Sequence, residues 1–173
     1  LKDKAVVVFA ADHHIADHGL SLTSTDVTYI QTRNFLQGGG TINAFTRNAG
    51  ARLSVVDVGV NYDFGDLPGL VKRKVMHGAN DFSKEPAMTR EQALECLARE
   101  EKNTGLDIVA AGEMGIGNTT PSSAIVAVLT GTPVETVTGR GSGVRGEVIR
   151  KKIKLIEQGI TLNKPDPSDA IDV

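Results

Sequence analysis

Three short clusters carry the residues with chemical capacity. Asp12, His13, His14 and His18 follow directly on the apolar run AVVVFA at Ala5–Ala10. His14 and His18 are four apart, a spacing that puts both rings on one helix face. With Asp12 they would form a two-histidine, one-carboxylate metal site. The competing reading lets Asp12 hydrogen-bond the loop backbone and leaves the histidines as loop residues. Cys96 is the only thiol, and no further Cys or Glu stands at metal-motif spacing. We therefore expect no metal here and an inert Cys96.

The second cluster, GEMGIGNTT at Gly112–Thr120, leads into an apolar helix. Gly115 and Gly117 let backbone amides converge, and Asn118 and Thr119 precede a helix whose positive N-terminus favours an anion, so a phosphate fits. Glu113, where the preceding strand ends, would work on a ligand whose phosphate that loop holds. Read plainly, Asn118 and Thr119 are only helix caps and Glu113 a surface carboxylate. Three glycines in six positions favour the functional reading.

The third cluster is GRGSGVRG at Gly139–Gly146, whose glycines 141, 143 and 146 satisfy G-x-G-x-x-G. A dinucleotide fingerprint also needs a buried strand before it and an acidic residue about twenty positions on, at the end of the next strand. Val134–Thr138 is short and alternating, and Asp166 lies in a proline-rich loop. Arg140 and Ser142 therefore read as a second phosphate or ribose contact. Lys152, on the following helix, either faces the same anion or, by default, belongs to a solvated basic face with Arg150, Lys151 and Lys154. Ser24, in the polar stretch Thr23–Asp26, touches a planar base or caps the helix behind it.

These clusters need elements to position them. Ala5–Ala10, Leu53–Val60 and Asp107–Gly112 are runs of the kind that form strands buried on both faces of a parallel sheet. Helical patterns lie between and after them at Val27–Ala49, Thr89–Asn103, Thr120–Leu129 and Gly146–Gln158, the second opened by a Thr89/Gln92 capping box. Alternating strands and helices predict an α/β fold, a Rossmann-like doubly wound parallel sheet that binds ligands beyond its strands' carboxyl ends.

Hydrophobic residues at 40% and charged residues at 23% suit one globular domain over residues 1–173. A net charge of -2 gives no field for neutralising a nucleic-acid backbone, and 4% aromatics without tryptophan argue against a stacking surface for one. No apolar run approaches bilayer length, so no membrane partner is expected and the chain reads as cytoplasmic. The closing NKPDPSDAIDV reads as a loop. A sheet ending there, without a following helix and strand, suggests part of a longer protein whose C-terminal part is missing.

The motifs together resemble the nicotinate-nucleotide–dimethylbenzimidazole phosphoribosyltransferase family. AADH at Ala10–His13, RNFLQGGGTIN at Arg33–Asn43, VVDVGV at Val55–Val60, EPAMTREQA at Glu85–Ala93, GEMGIGNTT, GRGSG at Gly139–Gly143 and NKPDPSD at Asn163–Asp169 are similar to that family's blocks, in its order. The resemblance implies transfer of ribose 5-phosphate from nicotinate mononucleotide to a benzimidazole base, with inversion at the anomeric carbon. It also implies a cytoplasmic homodimer and no metal or redox cofactor. The family's catalytic glutamate falls beyond residue 173, which leaves Glu113 a supporting role. Asp12, His13, Ser24, Gly115, Gly117, Asn118, Thr119, Arg140, Ser142 and Lys152 are the expected substrate contacts. Two alternatives stay open: a dinucleotide-dependent oxidoreductase and a non-catalytic nucleotide-binding module.

Overall fold

Apolar β-branched runs next to glycine and polar turns produce four parallel strands in a computed structural model that describes residues 1–98 and 105–173. They are β1 (Lys4–Ala11), β2 (Arg52–Gly59), β3 (Leu70–Lys72) and β4 (Ile108–Met114). Their order is β3-β2-β1-β4, so β1 is paired on both sides. Val8 stands opposite Val55 on one side and Gly112 on the other. The helices are α1 (Asp26–Leu36), α2 (Thr41–Ala49), α3 (Arg90–Ala98), α4 (Thr119–Thr130), α5 (Val134–Val137) and α6 (Glu147–Asn163). A short 3-10 helix covers His14–His18. This is an α/β fold with an all-parallel sheet and flanking helices.

The chain forms two compact units. The first comprises Leu1–Asp12, Asp26–Gly78 and Glu95–Gly115; the second comprises His13–Thr25, Ala79–Leu94 and Ile116–Val173. The first holds the sheet, with Val7, Val8, Ala10, Val55 and Val56 buried. Its chain reverses direction across the sheet between β1 and β4, the point where open parallel sheets bind ligands. β4 is the edge strand there. Its residues Ile108, Val109, Ala110 and Ala111 are all exposed.

One continuous helix was expected over Val27–Ala49; the structure has two. Gln37, Gly38 and Gly39 close α1 by donating to Arg33 O, Phe35 O and Asn34 O. Asn43 then bridges the break, its Oδ1 accepting Gly40 N at 2.9 Å and its Nδ2 donating to Phe35 O at 2.8 Å. A single buried amide satisfies backbone groups at both helix ends, which a continuous helix would not leave open.

In the second unit Ile15, Leu20, Phe82, Leu155 and Ile156 form the core. α6 buries Lys152, Leu155, Ile156 and Gly159, the three-and-four spacing of one helix face. The Thr89/Gln92 capping box forms as expected, with Thr89 N donating to Gln92 Oε1 and Gln92 N to Thr89 Oγ1. The predicted extension of that helix to Asn103 falls outside the described residues. Val134–Thr138, whose alternation resembled a short strand, contains α5 instead; no helix of the described residues is long and apolar enough to cross a membrane.

Candidate functional site

The second unit contains a buried cation in neutral surroundings. Lys152 is 1% exposed, and its Nζ donates to Thr119 Oγ1 at 2.7 Å and to Gly139 O at 3.1 Å. Among the described residues it forms no ion pair. An ammonium has three donors, so among the described residues one N–H is left over. Burial pushes the Lys152 ammonium below its usual value; an anion placed there would stabilise the charged form. Lys152 is therefore not part of the solvated face expected by default, although Arg150, Lys151 and Lys154 are exposed.

Both glycine loops reach this ammonium. Gly141 has φ +53, and a Cβ there would lie 2.7 Å from Thr119 Oγ1 and 3.8 Å from Lys152 Nζ. Gly117 has φ +91, and its Cβ would stand 2.6 Å from Ala16 Cβ. Each glycine is thus required by conformation and by close approach. α4 begins between the two loops without a side-chain cap hydrogen bond from Asn118, and Thr120 Oγ1 is fully buried with no hydrogen-bond partner among the described residues. An uncapped helix start, an orphaned buried hydroxyl and an unneutralised ammonium are each features that an oxyanion would satisfy.

The other sequence-selected residues of this unit are arranged differently. Ser142 Oγ meets Ser21 Oγ at 3.1 Å and accepts Leu22 N at 3.1 Å, so it ties Gly139–Gly143 to the segment before α1. Arg140 and Ser24 are exposed. His13 pairs with Ala79 in an isolated parallel bridge. His14 Nδ1 faces Asp17 at 3.1 Å and His18 Nε2 faces Asp81 at 2.8 Å. The two histidines thus turn to separate carboxylates.

In the first unit Asp12 follows β1 and is 8% exposed. Its Oδ2 accepts Asn61 N at 2.8 Å, while Oδ1 is buried with no partner among the described residues. Glu113 is exposed and lies within β4, opposite Phe9, because the strand continues to Met114 before the buried Gly115. Asp57 was not singled out by sequence reasoning. It is buried, its Oδ1 accepts Gly59 N and Val60 N, and its Oδ2 is 3.5 Å from Lys74 Nζ. Burial raises its carboxyl above the usual range despite those amides and Lys74. The available signal was a lone carboxylate inside the apolar VVDVGV.

G-x-G-x-x-G lies between α5 and α6, so the element directly before it is a helix rather than a strand. The dinucleotide fingerprint is therefore absent in structure as well as in context. The fold defines a parallel-sheet α/β protein, and a phosphoribosyltransferase family model matches residues 1–173. The chain belongs to the nicotinate-nucleotide–dimethylbenzimidazole phosphoribosyltransferase family. A relative of that name from Geobacter sulfurreducens is 49% identical over 99% of this chain and 51% of its own length. One from Roseiflexus sp. RS-1 is 48% identical over 100% and 51%. The crystal structure of CobT from Thermus thermophilus superposes with a TM-score of 0.90 at 40% identity, covering 99% of this chain and 54% of that one. The chain spans about half the length of the curated relatives it matches.

Proposed function

We propose that this chain is the nucleotide-holding part of an enzyme that transfers ribose 5-phosphate from nicotinate mononucleotide to 5,6-dimethylbenzimidazole. The products are α-ribazole 5'-phosphate and nicotinate, and the reaction serves synthesis of the lower ligand of cobalamin. The observation that carries this reading is Lys152, a buried ammonium with neutral partners beside two glycine loops and a helix start. A nucleotide 5'-phosphate supplies the missing charge, and holding it fixes the ribose for attack.

In the reaction a benzimidazole nitrogen forms a bond to the anomeric carbon as the bond to the nicotinate nitrogen breaks. The leaving group takes the bonding electron pair, and the incoming base loses its ring N–H proton to a general base. A carboxylate suits both the developing positive charge on the sugar and that proton. Glu113 is proposed in a supporting role, with the main catalytic glutamate outside residues 1–173. Asp12, with one buried oxygen unpartnered, is proposed to contact the ribose or base, and Ser24, His13, Gly115, Asn118 and Arg140 to complete the substrate contacts. We further propose a cytoplasmic homodimer.

The test has two arms. A protein containing this chain at its relatives' full length should form α-ribazole phosphate from the two substrates. The chain itself should gain thermal stability with nicotinate mononucleotide and much less with NAD. Stabilisation by NAD alone would return the oxidoreductase reading, and nucleotide binding without product would favour a non-catalytic binder.

A further inference from the structure

His18 lies outside the oxyanion site yet connects its walls. It ends the 3-10 helix whose Ala16 backs directly onto Gly117. Its carbonyl accepts Lys151 Nζ at 2.6 Å, one residue from the buried Lys152. Beyond Gly19 the chain buries Leu20, then meets Ser142 through Ser21 and Leu22. The segment from His14 to Leu22 thus touches the GIGNTT loop at one end and the GRGSG loop at the other.

That segment needs an anchor, because a five-residue 3-10 helix has little stability of its own. Asp81 supplies it. The carboxylate is buried, and its Oδ2 faces His18 Nε2 at 2.8 Å and Lys84 Nζ at 2.7 Å. Oδ1 accepts Ser83 Oγ at 2.6 Å and Ser83 N at 3.1 Å. Ser83 O in turn accepts Gln158 Nε2 of α6, and the neighbouring Phe82 O accepts Asn163 Nδ2. Asp81 is therefore fixed to the helix that carries Lys152.

We propose that His18, held by Asp81, is a positioning residue that sets the spacing of the two glycine loops around Lys152 and so fixes affinity for the nucleotide phosphate. The proposal rests on the oxyanion reading of that site. A purely structural pair would lower stability and leave ligand discrimination alone. A positioning pair changes affinity for the phosphate-bearing ligand over that for the free base.

The experiment titrates inorganic phosphate, nicotinate mononucleotide and dimethylbenzimidazole into wild type, His18→Ala, His18→Gln, Asp81→Ala and the double alanine variant, with amide NMR of Gly117 and Gly141. We expect His18→Ala to weaken phosphate and nucleotide about tenfold, the scale of one displaced charge-assisted hydrogen bond. Base affinity should stay within about twofold. His18→Gln, which keeps a donor near the Nε2 position, should recover most of the loss, and the double variant should be no worse than either single one. Unchanged phosphate affinity in folded His18→Ala, or equal weakening of nucleotide and base, overturns the proposal. If Asp81→Ala does not fold, the two His18 variants decide alone. Wild-type protein that binds no phosphate defeats the oxyanion reading instead. The positioning claim is then judged on the ligand-free Gly117 amide, which must shift in His18→Ala and return in His18→Gln; an unmoved amide overturns it.

Discussion

Lys152 Nζ donates to Thr119 Oγ1 at 2.7 Å, joining α6 to the first residue of α4 across 33 residues of chain. The pair predicts opposite effects of one substitution on stability and on binding. Lys152→Met keeps the volume and removes a buried charge that has no counter-ion. Ligand-free stability should stay within about 1 kcal/mol of wild type, or rise. Stabilisation by nicotinate mononucleotide, about 2.7 kcal/mol at a hundredfold excess over Kd, should vanish. Thermal melts with and without nucleotide check both signs; a large loss of ligand-free stability would make Lys152 a structural group.

The same lysine gives an alkaline signature. Its folded-state value lies below the ordinary 10.5 because of burial. Below the folded value both states are charged and only the folded one bears the desolvation. As pH rises through the folded value towards 10.5 the folded state releases its proton first, so ligand-free stability should rise relative to Lys152→Met. Phosphate affinity should fall over the same range. Paired pH titrations of melting temperature and phosphate binding measure the two slopes.

Gly141→Ala tests the loop. Its methyl would lie 2.7 Å from Thr119 Oγ1, at a φ of +53 that disfavours a side chain. We expect about 1–2 kcal/mol of destabilisation and a tenfold or greater loss of nucleotide affinity, with base affinity little changed. Gly117 is a poorer probe, because any side chain there meets Ala16. Calorimetric titration of both ligands separates the outcomes.

Acid should act through Asp81. Burial pushes its carboxyl up, but hydrogen bonds from Lys84, Ser83 and His18 outweigh that and hold it at about 2. A depressed folded value contributes stability that is fully present above the ordinary carboxylate range and lost as pH falls through about 2. The melting temperature should drop over that window. In Asp81→Asn the drop should be shallower, as scans from pH 5 to about 2 would record.

For the reaction itself, Glu113→Gln in a protein of the relatives' full length should lower turnover about tenfold to a thousandfold, with nucleotide affinity changed much less. Turnover within about twofold of wild type would leave Glu113 an exposed strand carboxylate. Steady-state product formation beside a binding titration makes the comparison.

Much of this was readable in the chain because it is local. The β-branched runs became β1, β2 and β4 within one or two residues of their predicted ends, and GIGNTT opened α4 as its glycines and threonines required. Relations across distance were not readable. Asn43 splits the expected long helix by reaching back to Phe35, and Asp81 finds His18 63 residues away. Lys152 was legible in principle. It lies on the same face as Leu155, Ile156 and Gly159, and a charge on an apolar stripe signals burial, but three neighbouring basic residues suggested a solvated face.

Among the described residues no strand pairs with the outer edge of β4, and this bears on behaviour in solution. Ile108 and Val109 are each 47% exposed, and the strand carries no lysine, proline or bulge of the kind that blunts natural edges. Ile108–Ala111, ahead of the single charge of Glu113, offer an apolar template for another strand. The isolated chain should consequently self-associate at high concentration through intermolecular β-pairing. A single gatekeeper charge, Val109→Lys, should delay that aggregation in light scattering without disturbing Lys152.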